Sequence, residues 1–594
     1  VADMTTVTSL EFRDADRAVE ILRPDTPQPW INYLSNGALH AFVSQAGGGF
    51  AWWKSPIVYR LTRYRQYNLP VDSPGFYIYL RGKDGTVWSP TWRPCPAKPD
   101  HWKAVHQPGR TRFTAARGGL GATLTFFVCP DADVLVWDLA LTATDGRDHA
   151  LDVFAYCEFS QMIWQDETTY GYYTKLQLKT FYDARSGSVN HLFHVCNYPK
   201  GYEPPLVYLA GTGKVVSFSG SRLGFNGDYG DERDPRSLHA PRLPGDTLAC
   251  GEPAAALHNR VTVRASGRAA RLAFFLGVAP GVISDKAAAE RRRNADLARL
   301  RRPGAVDRQA AKAARWWEDH FAVLQSGLPD PAAARQINTW SVVNAVVTGR
   351  YSRSVNTEAP GVRGVGFRDT CQDMIAIAYR KPAWATDTLR YLLSQQYADG
   401  HTAHLSYREE WYPPVGGKPK SDNHLWPALV AYAVAAETGD LGFLETPAPF
   451  LRDDGTPGAA APLWRHLMAA VDFAEAHRGA HGLLLTLGGD WNDIIGRFSE
   501  RGRGETVFAS QQYVYTLRLL IELADAAGKR DDAARMRVCL AQQEAALLAC
   551  AWDGGWWRRG FDDDGAPVGA RAARFGRIFL NPQSWAVISG VGDR

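Results

Sequence analysis

The chain has 594 residues, about four times the ~150 residues of a typical domain, so two or more domains are expected. Apolar residues make up 45% and charged residues 22%, ordinary globular values that exclude a disordered or collagen-like chain. The 67 Lys and Arg against 62 Asp and Glu leave +5, too dilute for a nucleic-acid binder without a local patch. A short basic run, Arg291-Arg292-Arg293, lies in a helix-like stretch and reads as a solvated face.

The eight cysteines include no C-x-x-C pair and read as reduced thiols of a cytoplasmic protein rather than a disulfide framework or zinc site. The N-terminus carries no signal-peptide pattern and no apolar run approaches 18 residues, so neither secretion nor a membrane span is expected. The start at Val1 and an end just after a helix has begun predict a truncated chain. Aromatic residues are abundant, with 20 Trp, 24 Tyr and 25 Phe. Such rings suit cores, and they also suit sugar binding, where they cover the apolar faces of pyranoses.

Residues 1–283 read as β: Leu135, Trp137, Leu139 and Leu141 alternate with smaller or polar neighbours, and turn clusters such as Asp145-Gly146 separate short strand-like runs. Many short strands without interspersed helices predict a large sandwich. Ser284-Asp285 is an N-cap signature opening a helical linker over 284–328, broken at Arg302-Pro303-Gly304. From 329 to 594 the pattern is helical, with helices expected at 332–348, 370–379, 383–398, 424–437, 462–477, 507–527, 531–550 and 582–589. Leu463, Leu467, Ala470, Val471 and Ala474 share one helical face, as do Val514, Leu517, Leu520, Ile521 and Ala524. Gly400, Gly439, Gly479 and Gly528 stand where helix C-caps are expected. Eight helices joined by unequal loops fit an α/α toroid with its long loops gathered at one mouth, incomplete by about four helices.

Four stretches could carry chemistry. Gly488-Gly489-Asp490-Trp491-Asn492-Asp493 puts two carboxylates, an amide and an indole within four residues, enough to surround a sugar, or else to form an Asx-turn around a buried Trp. Gly366-Phe367-Arg368-Asp369-Thr370-Cys371-Gln372-Asp373 places Arg368 and Asp373 near a helix start, where polar groups project into a barrel mouth or merely cap and pair. Lys420-Ser421-Asp422-Asn423-His424-Leu425-Trp426 follows His404, Tyr407, Glu409, Glu410 and Trp411, and alone reads as a helix N-cap. Arg63-Tyr64-Arg65-Gln66-Tyr67-Asn68 and Trp88-Ser89-Pro90-Thr91-Trp92 could grip sugars or anions, or be packed strands with snorkelling arginines. No Walker loop, H-E-x-x-H, G-x-S-x-G or dinucleotide fingerprint appears, which removes the usual support for nucleotide, zinc-protease and serine-hydrolase chemistry.

Together these stretches, with Gly48-Gly49-Phe50 and Asn581-Pro582-Gln583-Ser584-Trp585, resemble glycoside hydrolase family 94, the inverting β-glycoside phosphorylases of cellobiose, cellodextrin, chitobiose and cellobionic acid. The resemblance implies a β-sandwich, a helical linker and an (α/α)6 barrel, incomplete here. It implies Asp493 as general acid; Arg368, Asp373, Trp491, Asp490, Asp422 and His424 as sugar ligands; and Arg363 near phosphate, other phosphate ligands lying beyond residue 594. It also implies inorganic phosphate as co-substrate with no metal or cofactor, a β-glucoside disaccharide or oligosaccharide as partner, and a homodimer. An inverting hydrolase, with Glu409, Glu410 or Glu505 as base, stays open, as do a cellobionic acid or other acceptor-specific phosphorylase and a non-catalytic sugar-binding protein.

Overall fold

The computed structural model describes residues 9–64, 72–164, 167, 171–193, 202–281, 284–351, 364–407 and 417–592. The chain divides into two compact units, Val1–Val362 and Arg363–Arg594.

The first unit is a sandwich of two large antiparallel sheets, ten-stranded and nine-stranded among the described residues. The alternation at 135–141 falls on strand Val134–Ala143, whose Trp137 pairs with Phe126 on one side and Phe274 on the other. Phe76, which leads into a strand of the second sheet, meets Phe126 and Trp137 with ring centroids 6.1 and 5.6 Å apart, so aromatic contacts join the two layers. The Trp88–Trp92 stretch is packing: Trp88, Ser89 and Thr91 are buried, and the two hydroxyls bond at 2.8 Å. Arg63 is an ion-pair partner, bonded to Glu252 at 2.8 Å, while 65–68 lie outside the described residues.

Asp285 caps the linker as expected, accepting the Ala288 N–H at 2.8 Å and opening helix Lys286–Leu300; Ala305–Phe321 follows the break at 302–304. Leu297 and Leu300 join a core with Phe127, Val136, Tyr208 and Phe275, so the linker docks on the ten-stranded sheet. That docking corrects the basic run. Arg291 and Arg292 are exposed, but Arg293 is 1% exposed and donates to Asn190 Oδ1 at 2.7 Å and Asp183 Oδ2 at 2.5 Å. Its charge is spent on the sheet beneath. The helix expected over 332–348 is three pieces of the first unit: Pro331–Arg335, a π-helical Gln336–Trp340 and Ser341–Tyr351.

In the second unit, Phe367–Ala378, Trp426–Thr438, Val507–Ala526 and Leu580–Ser589 pack side by side as one row. Pro382–Leu393 and Arg530–Cys550 pack behind that row, and Leu463–Ala476 packs against Pro382–Leu393. This alternation of inner and outer helices is an arc of an α/α toroid. Both predicted apolar faces, 463–474 and 514–524, are buried. Gly439 is the left-handed C-cap expected, and Gly528 follows its helix in the same conformation. Gly400 is not a cap: Pro382–Leu393 ends seven residues earlier, and at φ +101° a Cβ on Gly400 would lie 2.0 Å from the Ala469 carbonyl oxygen. Gly479 likewise is no cap but fits against Glu505. Among the described residues no helix is long and apolar enough to cross a membrane, and Cys95, Cys129, Cys157, Cys250, Cys371, Cys539 and Cys550 are free thiols.

Candidate active site

The site grows from the loop between Leu463–Ala476 and Val507–Ala526. Two residues either side of Lys420 pair with it through the backbone: Gly488 N–H donates to Pro419 O at 2.8 Å and Ser421 N–H to Gly489 O at 3.0 Å. Gly489 adopts φ +120°, where a Cβ would stand 3.0 Å from the Asp493 carbonyl oxygen, so the tight turn needs glycine. Beneath the turn Asp490 has no exposed surface. Its Oδ1 accepts the Asn492 N–H at 3.0 Å and Arg559 Nη2 at 2.6 Å; its Oδ2 accepts the Thr506 hydroxyl at 2.7 Å. Thr506 is the N-cap of Val507–Ala526 and also receives Arg559 Nη1 at 3.0 Å, so one buried ion pair bolts the loop to a helix start.

Arg368 stands in the first turn of Phe367–Ala378. Its Nη1 donates to the Asp490 carbonyl at 2.8 Å and lies 3.4 Å from Asp422 Oδ1; its Nη2 donates to Asp493 Oδ1 at 2.9 Å. Lys420 Nζ donates to the Gly488 carbonyl at 2.9 Å and sits 3.1 Å from that same Asp493 Oδ1. Asp493 is the outermost member of this network, its side chain 54% exposed, and the neighbouring Trp491 is 46% exposed.

The electrostatics differ along the network. Burial raises Asp422 to about 6, against the opposing charge of Arg368, and its Oδ2 accepts Trp426 Nε1 at 3.1 Å. Partial burial pushes Asp493 up, but Arg368 and Lys420 outweigh it and hold the carboxyl below its ordinary value. Burial lowers His404, with the Asp493 charge opposing and Lys420 and Arg368 assisting.

Of the residues expected at the site, Arg368, Asp422, Asp490 and Asp493 form one contiguous cluster with Trp491 beside it. Three of the expected sugar ligands are buried. Asp422 and Asp490 are fully buried and their carboxylates are committed to Trp426, Arg368, Arg559 and Thr506. His424 is 2% exposed, packs edge-on to Phe473 with centroids 4.9 Å apart, and burial lowers it to about 3. Asp373 is buried on the same helix as Arg368, five residues on. Arg363, Glu409, Glu410 and Trp411 lie outside the described residues. Glu505 cannot serve as a base: it is buried, and its oxygens take the His481 ring and the His481 and Leu483 amides. Sequence reasoning missed Lys420 as a site residue, although it opens the Ser421-Asp422 motif, and missed Arg559, which has no local signal.

Residues 17–299 match the supersandwich domain of glycosyl hydrolase 94 and residues 316–594 match the catalytic domain of the glycosyl hydrolase 94 superfamily. An N,N'-diacetylchitobiose phosphorylase of Vibrio furnissii is 29% identical over 98% of this chain and 73% of its own length. A solabiose phosphorylase of Paenibacillus borealis is 28% identical over 96% of this chain and 70% of its own. Among solved structures, a bacterial glucoamylase complexed with acarbose superposes with a TM-score of 0.51 at 10% identity, over 91% of this chain and 72% of that one, a likeness of fold alone.

Proposed function

The chain belongs to the glycosyl hydrolase 94 family, and from that premise we propose that it carries out inverting phosphorolysis of a β-linked glucosyl disaccharide or oligosaccharide, cellobiose-like, with Asp493 as general acid. The observation that carries this reading is a half-exposed carboxylate beside a half-exposed indole, at the end of a buried charge network. The indole covers an apolar sugar face while the carboxyl protonates the departing oxygen. In the step, the anomeric C–O bond breaks, its electron pair leaves with the acceptor oxygen, and that oxygen takes the Asp493 proton. A phosphate oxygen forms the new bond from the opposite face, giving α-glucose 1-phosphate and a shortened acceptor. Phosphate is already an anion at neutral pH, so no second protein carboxylate is required as base. Seating the sugar excludes water from Asp493 and raises it toward the protonated form that the step needs.

Inorganic phosphate is the co-substrate in this reading, no metal or organic cofactor takes part, and the enzyme works in the cytoplasm as a homodimer. The two relatives name different sugars at nearly the same identity, so cellobiose is the first substrate to try rather than a conclusion from similarity. The test is incubation with cellobiose, with and without inorganic phosphate, the products identified by NMR. Phosphate-dependent α-glucose 1-phosphate is expected, and Asp493→Asn is expected to lower turnover by roughly 10²–10⁴-fold while still binding sugar. Sugar release without phosphate would identify an inverting hydrolase instead, and more than a few per cent activity in Asp493→Asn would remove the acid assignment.

A further inference from the structure

Two cations from different parts of the second unit converge on one oxygen atom. Arg368 Nη2 and Lys420 Nζ stand 2.9 and 3.1 Å from Asp493 Oδ1, and among the described residues Oδ2 receives no protein hydrogen bond. Lys420 is itself fixed: its Nζ donates to the Gly488 carbonyl, and its backbone neighbours pair with Gly488 and Gly489. Its side chain is 12% exposed, so the ammonium cannot swing freely away. Among the described residues, the carboxylate is therefore held by a fork of two cations on one side and open on the other.

We propose that Lys420 is a positioning residue for the general acid: with Arg368 it anchors Asp493 through Oδ1, so that Oδ2 alone carries the proton and presents it to the glycosidic oxygen. This rests on the reading of Asp493 as the acid. A proton on Oδ1 would face two cationic donors with no acceptor among them, which disfavours that site. Anchoring a single oxygen also fixes the rotation of the carboxyl group, and directed proton transfer depends on that orientation. Among the described residues, the other titratable groups around the carboxyl are His404, beside strand Leu405–Ser406, and Asp369 and Asp422, which act through Arg368. Of the groups in contact with Oδ1, Lys420 can be removed without cutting the bonds that Arg368 makes to Asp490 and Asp422.

The test compares Lys420→Met, Lys420→Gln and Lys420→Arg in the whole chain, with thermal unfolding confirming which variants fold. Carbon-13 NMR of the aspartate carboxyls, with Asp493→Asn to identify the resonance, follows the titration of Asp493 without any need for turnover. Removing one cation at 3.1 Å is expected to raise the Asp493 midpoint by about one pH unit in the Met and Gln variants, and Arg is expected to restore most of the original value. In kinetics, kcat should fall about tenfold with KM for the sugar within about twofold, and the alkaline limb of kcat/KM should move to higher pH. An unmoved Asp493 titration in both the Met and Gln variants overturns the inference, and so does an Arg variant no better than Met. If Asp493→Asn keeps its activity, the reading of the acid fails, and the titration still decides whether Lys420 and Asp493 are coupled.

Discussion

In the sandwich, Glu158 is 3% exposed and is met from three directions: the Tyr156 hydroxyl at 3.1 Å, Arg222 Nε at 3.0 Å and Arg63 Nη1 at 3.6 Å. Arg63 passes on to Glu252, which also holds Lys175, so among the described residues each carboxylate of this network is paired and its ends are cations. In the helical unit, Asp490 and Arg559 make a fully buried pair, and Arg368, which donates to the Asp490 carbonyl, reaches both Asp422 and Asp493, the last standing more than half exposed. A charge cluster whose carboxylates are all paired inside is architecture; one that ends on an accessible acid leaves a titratable group at the surface, as the proposed function needs. The contrast separates two kinds of polar cluster that look alike in composition.

The largest expected effect tests the helical network at its root. Arg559→Met leaves the Asp490 carboxylate buried without its counter-charge and should cost roughly 3–5 kcal/mol in urea unfolding of the second unit. Because Asp490 anchors the turn bearing Trp491 and Asp493, turnover should fall with it even where the chain stays folded. Full activity in a folded Arg559→Met protein would make the two networks equivalent and break the comparison.

Acid gives an intermediate effect. His424 sits at about 3 against an ordinary 6.5, so its neutral form is the one the fold holds. The stability it contributes is fully present above pH 6.5 and is lost as pH falls toward 3, amounting to about 3 kcal/mol by pH 4. The sandwich holds His40 and His106 in the same way, at about 3 and about 4. Acid should therefore weaken both units, and His424→Leu should spare the helical unit alone, visible as one shifted transition in calorimetry at pH 4–6.

The smallest effect comes from the sandwich network. Glu158→Gln keeps a hydrogen-bonding side chain and should cost about 1.5–3 kcal/mol of sandwich stability, with the Asp493 titration unchanged. Movement of that titration would show that the two networks are coupled and break the comparison.

Much of the fold was legible because its signals are local. The Asp285 cap, the break at 302–304 and the apolar faces at 463–474 and 514–524 depend on neighbours within a turn or two, and the structure carries each of them. The end of Pro382–Leu393 was not legible: the close approach of Gly400 to Ala469 brings in a residue from another helix. Arg293 was misread for the same reason, since Asp183 and Asn190 lie more than a hundred residues away.

At the candidate site, the sequence alone determined which residue types the loop at 488–493 offers. Two aspartates three positions apart have the same chemistry on paper, and spacing cannot rank them. Tertiary structure ranked them. Arg559, 69 residues from Asp490, claims that carboxylate for the interior, and backbone pairing of 419–421 with 488–489 brings Lys420 beside the acid that stays outside. Composition and motif set the available groups; burial and long-range partners set which one keeps its charge at the surface, because desolvation and counter-charge act through space and not along the chain.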